Sequence, residues 1–252
     1  MSLGALLSGS AQLFWPARCA ACNQNVPDNV IFCGDCNLSI NPLVGACPGC
    51  ALPYVSPPSS LHRCLICRRI PFPFSEGHAA FEYGAALAEA IVRMKHGARR
   101  DLARRLGRLL APTLAQLLAR ARFGIGDAVI PVPLHTSRLR KRGFNQALEL
   151  ARAAMLLLTR HSAFVGAPIP RLERSLLFRT RATRELGHSG PAARLAEVAG
   201  AFTVASSARV RDRRFLLIDD VFTTGATFSE CASALRSAGA RDVYVLALAR
   251  AV

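Results

Sequence analysis

The chain reads as an α/β protein, a parallel sheet flanked by helices, preceded by a small cysteine-rich module. Three observations predict this. Residues 215–218 are four apolar residues in a row, a buried strand, and a helical pattern (Phe228, Cys231, Leu235, Ala238) then separates them from a second apolar run at 243–249. Two strands joined through one helix make a parallel, right-handed crossover unit. A comparable strand at 128–133 leads into a helix carrying Leu148, Ala151, Ala154 and Leu158, and eight of the nine cysteines fall in four Cys-x-x-Cys pairs before residue 68.

The length of 252 residues suits one moderately sized domain plus a small one. We place the boundary near Phe74, giving residues 1–75 and 76–252. No apolar run reaches membrane-spanning length, and the first 17 residues lack the basic start of a secretory signal, so no membrane insertion and a cytoplasmic location are expected. That opening stretch reads as a short arm packing on the cysteine module. Lys plus Arg number 32 against 16 for Asp plus Glu. Before Gly77 the balance is almost even, with Arg18, Arg63, Arg68 and Arg69 facing Asp28, Asp35 and Glu76. The surplus therefore belongs to the second domain and points to polyanionic company, either phosphorylated small molecules or nucleic acid.

The cysteine pairs are Cys19 with Cys22, Cys33 with Cys36, Cys47 with Cys50, and Cys64 with Cys67. Two such knuckles supply four thiolates, the closed tetrahedral shell of a structural zinc ion, so two Zn2+ are expected, with short hairpins between knuckles. Pairing could be consecutive or interleaved. Disulfides are the rival reading, disfavoured in a cytoplasmic chain. With four ligands each, these metals would fold the module and not catalyse.

Prolines 53, 57, 58, 71 and 73 break residues 51–75 into loops and a linker. A short strand is expected at 79–83, then a helix with Leu87, Ile91 and Met94 on one face, ending at Lys95-His96-Gly97. A longer helical run follows, with leucines 102, 106, 109, 110, 114, 117 and 118 on the apolar side and arginines 99, 100, 104, 105 and 108 on a solvated face. The strand at 128–133 runs out through Pro131 and Pro133 into a cation-rich loop bearing Arg138, Arg140, Lys141 and Arg142 before Gly143-Phe144-Asn145-Gln146. Such a loop, between a strand's carboxyl end and a helix, is where open α/β sheets bind ligands. Residues 178–200 combine Arg179, Arg181, Arg184 and Arg194 with glycines and no apolar period, a mobile loop. Cys231, on an apolar helix face, reads as a buried inert thiol.

At the centre stand Asp219 and Asp220, placed where the 215–218 strand should end, followed by the small-residue bend Thr223, Thr224, Gly225, Ala226 and Thr227. The bend opens a helix, whose free N–H groups and positive dipole end favour a phosphate, while Gly225 permits close backbone approach. The carboxylates would repel that phosphate. They suit the hydroxyls of an attached sugar, or Mg2+. The ligand so described is a sugar phosphate.

This acidic pair and bend resemble the ribose-5-phosphate motif of type I phosphoribosyltransferases. Together with the cysteine pairs and the arginine-rich stretch ending in Gly143-Phe144-Asn145-Gln146, the chain resembles the ComF family, phosphoribosyltransferase-like proteins associated with bacterial competence and DNA uptake. The resemblance implies a type I phosphoribosyltransferase fold behind a double zinc ribbon. It also implies binding of phosphoribosyl pyrophosphate with Mg2+ and transfer of phosphoribosyl to an acceptor. By this likeness, residues 223–227 would hold the 5-phosphate, Asp219 and Asp220 would act on the ribose as the catalytic pair, and Arg138, Arg140, Lys141 and Arg142 would hold the pyrophosphate. The 178–200 segment would be a closing lid; Glu185 and Glu197 depart there from the family's usual glutamine and asparagine. A non-catalytic sensor of the same ligand, or an accessory protein contacting single-stranded DNA or a DNA-uptake helicase, are the competing expectations. Sparse aromatics in the basic segments count against a DNA-stacking platform.

Overall fold

A computed structural model describes residues 17–55, 62–160, 169–183 and 196–251. The amino-terminal arm and residues 184–195, where most of the expected lid falls, lie outside them.

Each cysteine quartet closes on a short helix, α1 (Gly34–Leu38) and α2 (Leu65–Arg69), which start directly after Cys33 and Cys64. The expected hairpins are reduced to isolated bridges, Arg18 with Asn25 and Ala46 with Pro53. Strand β1 (Glu76–Glu82) follows; it starts three residues before the 79–83 expected because its register partner already runs alongside from Tyr244, and it stops at Glu82, opposite Arg250, where that partner ends. Helix α3 (Ala85–His96) buries Leu87, Ile91 and Met94 as anticipated. The long leucine-rich run is not one helix: α4 (Arg100–Gly107), a 3-10 turn (Arg108–Leu110) and α5 (Ala111–Arg120) share it, with Pro112 in the first turn of α5, where no N–H partner is needed. Next come β2 (Ala128–Pro131), α6 (Thr136–Arg142), α7 (Gln146–Arg160) and the short strands β3 (Arg171–Leu172), β4 (Leu177–Arg179) and β5 (Phe202–Val204). The chain ends in β6 (Arg214–Phe222), α8 (Ala226–Ser237) and β7 (Asp242–Arg250).

The main sheet has the order β1-β7-β6-β2-β3 and every pairing in it is parallel; β4 and β5 form a separate antiparallel pair. A parallel sheet must be covered on both faces. Alternate residues of β6 accordingly serve two cores. Leu216 and Ile218 pack with α3, α4, α5 and α7, while Phe215 and Leu217 pack with Phe228, Cys231 and Leu235 of α8. The two cysteine quartets divide the same way. Cys19 joins the first core; Cys47, Cys50 and Cys67 join the second. The exposed edge of β1 is covered by the connection between the quartets, through Leu43 N to Ala80 O at 3.0 Å and Glu82 N to Asn41 O at 2.9 Å.

Candidate functional site

Strand β6 does not end at the acidic pair. It goes on pairing with β7, Val221 opposite Ala249 and Phe222 opposite Arg250, whereas its pairing with β2 stops at Ile218. Asp219 and Asp220 are thus released on one side only. The helix following β2 covers one face of the sheet and the helix following β6 covers the other, so the chain diverges between these two strands. That divergence opens a crevice at the carboxyl ends of the strands, the usual ligand position in an open α/β sheet.

A cavity of about 540 Å³ occupies it. Its wall includes Thr223, Thr224, Gly225, Ala226 and Thr227, both aspartates, and Arg138, Arg142, Arg179 and Lys95. Gly225 precedes α8 with φ of +82°, a left-handed value, and Thr224 Oγ1 accepts from Ala226 N at 3.4 Å. A Cβ at residue 225 would meet Phe72 Cε1 at 2.8 Å and Phe222 Cε2 at 3.0 Å, so glycine is required twice over.

Asp219 is drawn up to about 7, first by burial and then by the Asp220 charge. Its Oδ1 accepts from Asp220 N at 2.9 Å. Asp220 Oδ2 lies 2.9 Å from Lys95 Nζ. Burial works against the charge on Lys95, but the Asp220 carboxylate more than offsets it and raises the lysine above its ordinary value. The cationic stretch is a helix, not the loop expected, because residues 136–142 close on Gly143 in the left-handed conformation with Gly143 N donating to Leu139 O at 2.8 Å. Helical spacing sets Arg138 and Arg142 one turn apart on the cavity side, and leaves Arg140 and Lys141 exposed on the other. Arg138 also donates to Thr183 O at 2.7 Å, and Arg142 to Gln146 Oε1 at 2.6 Å.

The 178–200 segment begins in ordered structure. Arg179 ends β4, paired with Phe202, stacks 5.2 Å over that ring and donates to the Thr183 hydroxyl. Two residues of this site carried little weight in the sequence. Lys95 read as a helix end, although it is one of only two lysines among 32 basic residues, the other being Lys141. Arg250 lies one residue past the apolar run at 243–249, where the pattern carries no signal; buried, it donates to the carbonyls of Phe222 and Thr223 behind the bend.

The cysteines settle into consecutive quartets, Cys19, Cys22, Cys33 and Cys36, and Cys47, Cys50, Cys64 and Cys67, with ligand atoms in each within 4.8 Å of one another. Cys22 and Cys33 Sγ are 3.6 Å apart, and Cys50 and Cys64 Sγ 3.8 Å. Tetrahedral zinc with Zn–S of about 2.3 Å requires S···S of about 3.8 Å, so both quartets fit the ion. Backbone amides support the sulfurs, Cys33 N to Cys19 Sγ at 3.4 Å and Cys64 N to Cys47 Sγ at 3.2 Å. No helix among the described residues is long and apolar enough to cross a membrane.

No protein-family model matches the chain. Of the solved structures, a hypoxanthine phosphoribosyltransferase from Staphylococcus aureus overlaps 58% of this chain at TM-score 0.31 and 12% identity; the match spans 62% of that enzyme, less than two thirds of its length. Sequence relatives match far more of the chain. Competence protein F of Haemophilus influenzae is 29% identical over 243 residues, 94% of this chain and 99% of its own. The DNA utilization protein YhgH of Escherichia coli O6:H1 is 31% identical over 220 residues, 86% of this chain and 89% of its own. Because that likeness spans nearly the whole chain, the cysteine quartets and the parallel-sheet domain alike, the chain belongs to the ComF/YhgH family of competence and DNA utilization proteins.

Proposed function

We propose that the crevice binds phosphoribosyl pyrophosphate and that the protein transfers its phosphoribosyl group to an acceptor. One observation carries this: a single cavity is bordered by a glycine-containing bend at a helix start, by an acidic pair, and by arginines from two further elements. Those are the complements of a phosphate ester, a sugar diol and a diphosphate. The first-turn amides of α8 and the hydroxyls of Thr223, Thr224 and Thr227 would receive the 5-phosphate. Asp219, when ionised, would accept from the ribose hydroxyls. Arg138 and Arg142, with Arg179 facing them, would take the diphosphate and stabilise the negative charge that grows as the bond to the anomeric carbon breaks. Arg140 and Lys141 would act through the field they add at the rim. Mg2+ would enter on the diphosphate oxygens and neutralise charge there. It is not expected on the acidic pair, where the Lys95 ammonium already sits against Asp220.

That same ion pair favours a second reading, a non-catalytic sensor. With Asp220 neutralised by Lys95 and Asp219 drawn up to about 7, the pair offers a developing ribosyl cation less than its full two charges. The relatives' names, competence and DNA utilization, support DNA handling as the setting of either activity, with single-stranded DNA or a helicase as the macromolecular partner to test.

Calorimetric titration of phosphoribosyl pyrophosphate with Mg2+ into the wild type and the Asp219→Asn, Asp220→Asn double variant tests the site. Binding to the wild type, weakened in the variant, is the expected result; no binding to the wild type sinks it. Pyrophosphate release across candidate acceptors then separates transferase from sensor. Salt-sensitive affinity for single-stranded DNA that the double variant leaves unchanged would assign the crevice no part in DNA contact.

A further inference from the structure

The 223–227 bend is tied to the second cysteine quartet through three contacts. Arg250, buried at the end of β7, spans the gap between them: Nε donates to the Cys50 carbonyl at 2.8 Å, and Nη1 to the carbonyls of Phe222 at 2.9 Å and Thr223 at 2.6 Å. Its plane stacks 4.7 Å over the Phe222 ring. A planar fork of donors can hold carbonyls from two segments in one fixed geometry. Gly77 is the second contact. Its amide donates to Pro48 O at 2.9 Å, and a Cβ there would meet Phe222 Cε1 at 2.9 Å and Gly49 O at 3.0 Å, so ring and knuckle meet over a bare Cα. The third is aromatic. Phe72 stacks on Phe74 at 4.8 Å and stands edge-on to Phe222, filling the space a side chain at residue 225 would need.

The first quartet is held elsewhere. Arg93 of α3 donates to the carbonyls of Ala20 and Ala21, and Arg105 of α4 to those of Arg18 and Val30, both at 2.6 Å. These lie with the core on the other face of the sheet.

We infer that metal occupancy of Cys47, Cys50, Cys64 and Cys67 sets the shape of the 223–227 bend, and that Arg250 is the positioning residue transmitting it. A four-cysteine knuckle holds its conformation only when filled, so an empty second site withdraws the Cys50 carbonyl from Arg250 and frees the guanidinium from the bend's carbonyls. Filled, the second quartet gives high affinity for a phosphate ester; empty, low affinity. The first quartet has no such effect. The consequence for ligand rests on the phosphoribosyl reading, but the coupling is a property of the ligand-free chain.

The test uses the full zinc-loaded chain and follows amide exchange of a peptide covering residues 223–227, without ligand. Cys64→Ser and Cys22→Ser should each leave one metal ion per chain. Cys64→Ser should speed exchange of the bend about tenfold or more, and Cys22→Ser by less than about twofold. Arg250→Met should loosen the bend while keeping both ions, and Arg250→Lys should not restore it, because one ammonium cannot span the three carbonyls. Equal exchange in the two cysteine variants, or a bend as protected in Arg250→Met as in the wild type, overturns the inference. Should Cys64→Ser not fold, the Arg250 variants decide alone. Titration with phosphoribosyl pyrophosphate separates the two readings: a metal-coupled bend in a wild type that does not bind leaves the coupling and removes the phosphoribosyl site. Binding of equal affinity in wild type and Arg250→Met overturns the claim that the second quartet sets affinity for a phosphate ester.

Discussion

Lys95 Nζ lies 2.9 Å from Asp220 Oδ2, joining the end of α3 to the carboxyl-terminal part of β6 at the crevice. The aspartate side chain is 5% exposed and the lysine 26%, so the carboxylate depends on the ammonium much more than the reverse. Removing one partner of a buried pair leaves an uncompensated charge, whereas removing both does not. Lys95→Met should therefore cost about 2–3 kcal/mol, below the fully buried range because the ammonium is partly solvated. Lys95→Met with Asp220→Asn should recover much of that. Urea unfolding of the four members of the cycle measures it; additive effects would mean the pair is not coupled.

Asp219 predicts a pH dependence. Its folded pKa, about 7, stands above the ordinary 3.8, so the native state holds this proton more tightly than the unfolded chain. The stability it contributes is complete below about pH 4 and is lost as pH rises through about 7. Asp219→Asn should remove that slope. Ribose hydroxyls need the ionised form as acceptor, so affinity for phosphoribosyl pyrophosphate should rise between about pH 6 and 8 in the wild type. The phosphate ester titrates nearby, with a second pKa of about 6, and only the part of the rise missing from Asp219→Asn belongs to the protein.

Gly225→Ala should be damaging beyond its size. The left-handed φ of +82° costs a β-carbon residue about 1–2 kcal/mol, and the new methyl would press on Phe72 and Phe222. Thermal unfolding should drop by several degrees, and affinity for phosphoribosyl pyrophosphate should fall more steeply than stability accounts for, since the bend itself must move. An unchanged affinity would place the ligand away from the bend.

The parts of this molecule legible in the sequence are those set by local pattern. The run at 215–218 is apolar without interruption because that strand is buried on both faces, and eight cysteines in pairs announce two closed metal shells. Contacts made at long range were not legible. Lys95 and Asp220 are 125 positions apart in the chain, and Arg250 meets Cys50 across 200. Nor was the ordering of the arginine-rich face of α4. Arg104 reaches buried Glu149 at 2.8 Å, and Arg105 clasps the first cysteine module, so much of an apparently solvated face holds helices and modules together. The end of β6 is not legible either, because two carboxylates look like a strand terminus, while β7 supplies partners for two residues beyond them.

Metal removal should separate the module from the sheet. The largest side chains of the sheet core, Phe215 and Ile130 among them, are fully buried against helices and neighbouring strands, and that burial does not require zinc. The segments around the quartets have little apolar interior beyond the cysteines themselves, and structural zinc supplies about 10–16 kcal/mol to such modules in isolation. Metal analysis should return two zinc ions per chain. A strong chelator should release both and unfold the cysteine modules, while the far-ultraviolet signal falls only slightly, because α1 and α2 hold five residues each. Protease cleavage should then appear before residue 75 and spare β6 and β7. A chelated chain that loses its whole helical signal would show instead that the ribbons and the sheet fold as one cooperative unit, with the second quartet contributing to the core that contains Phe215 and Leu217.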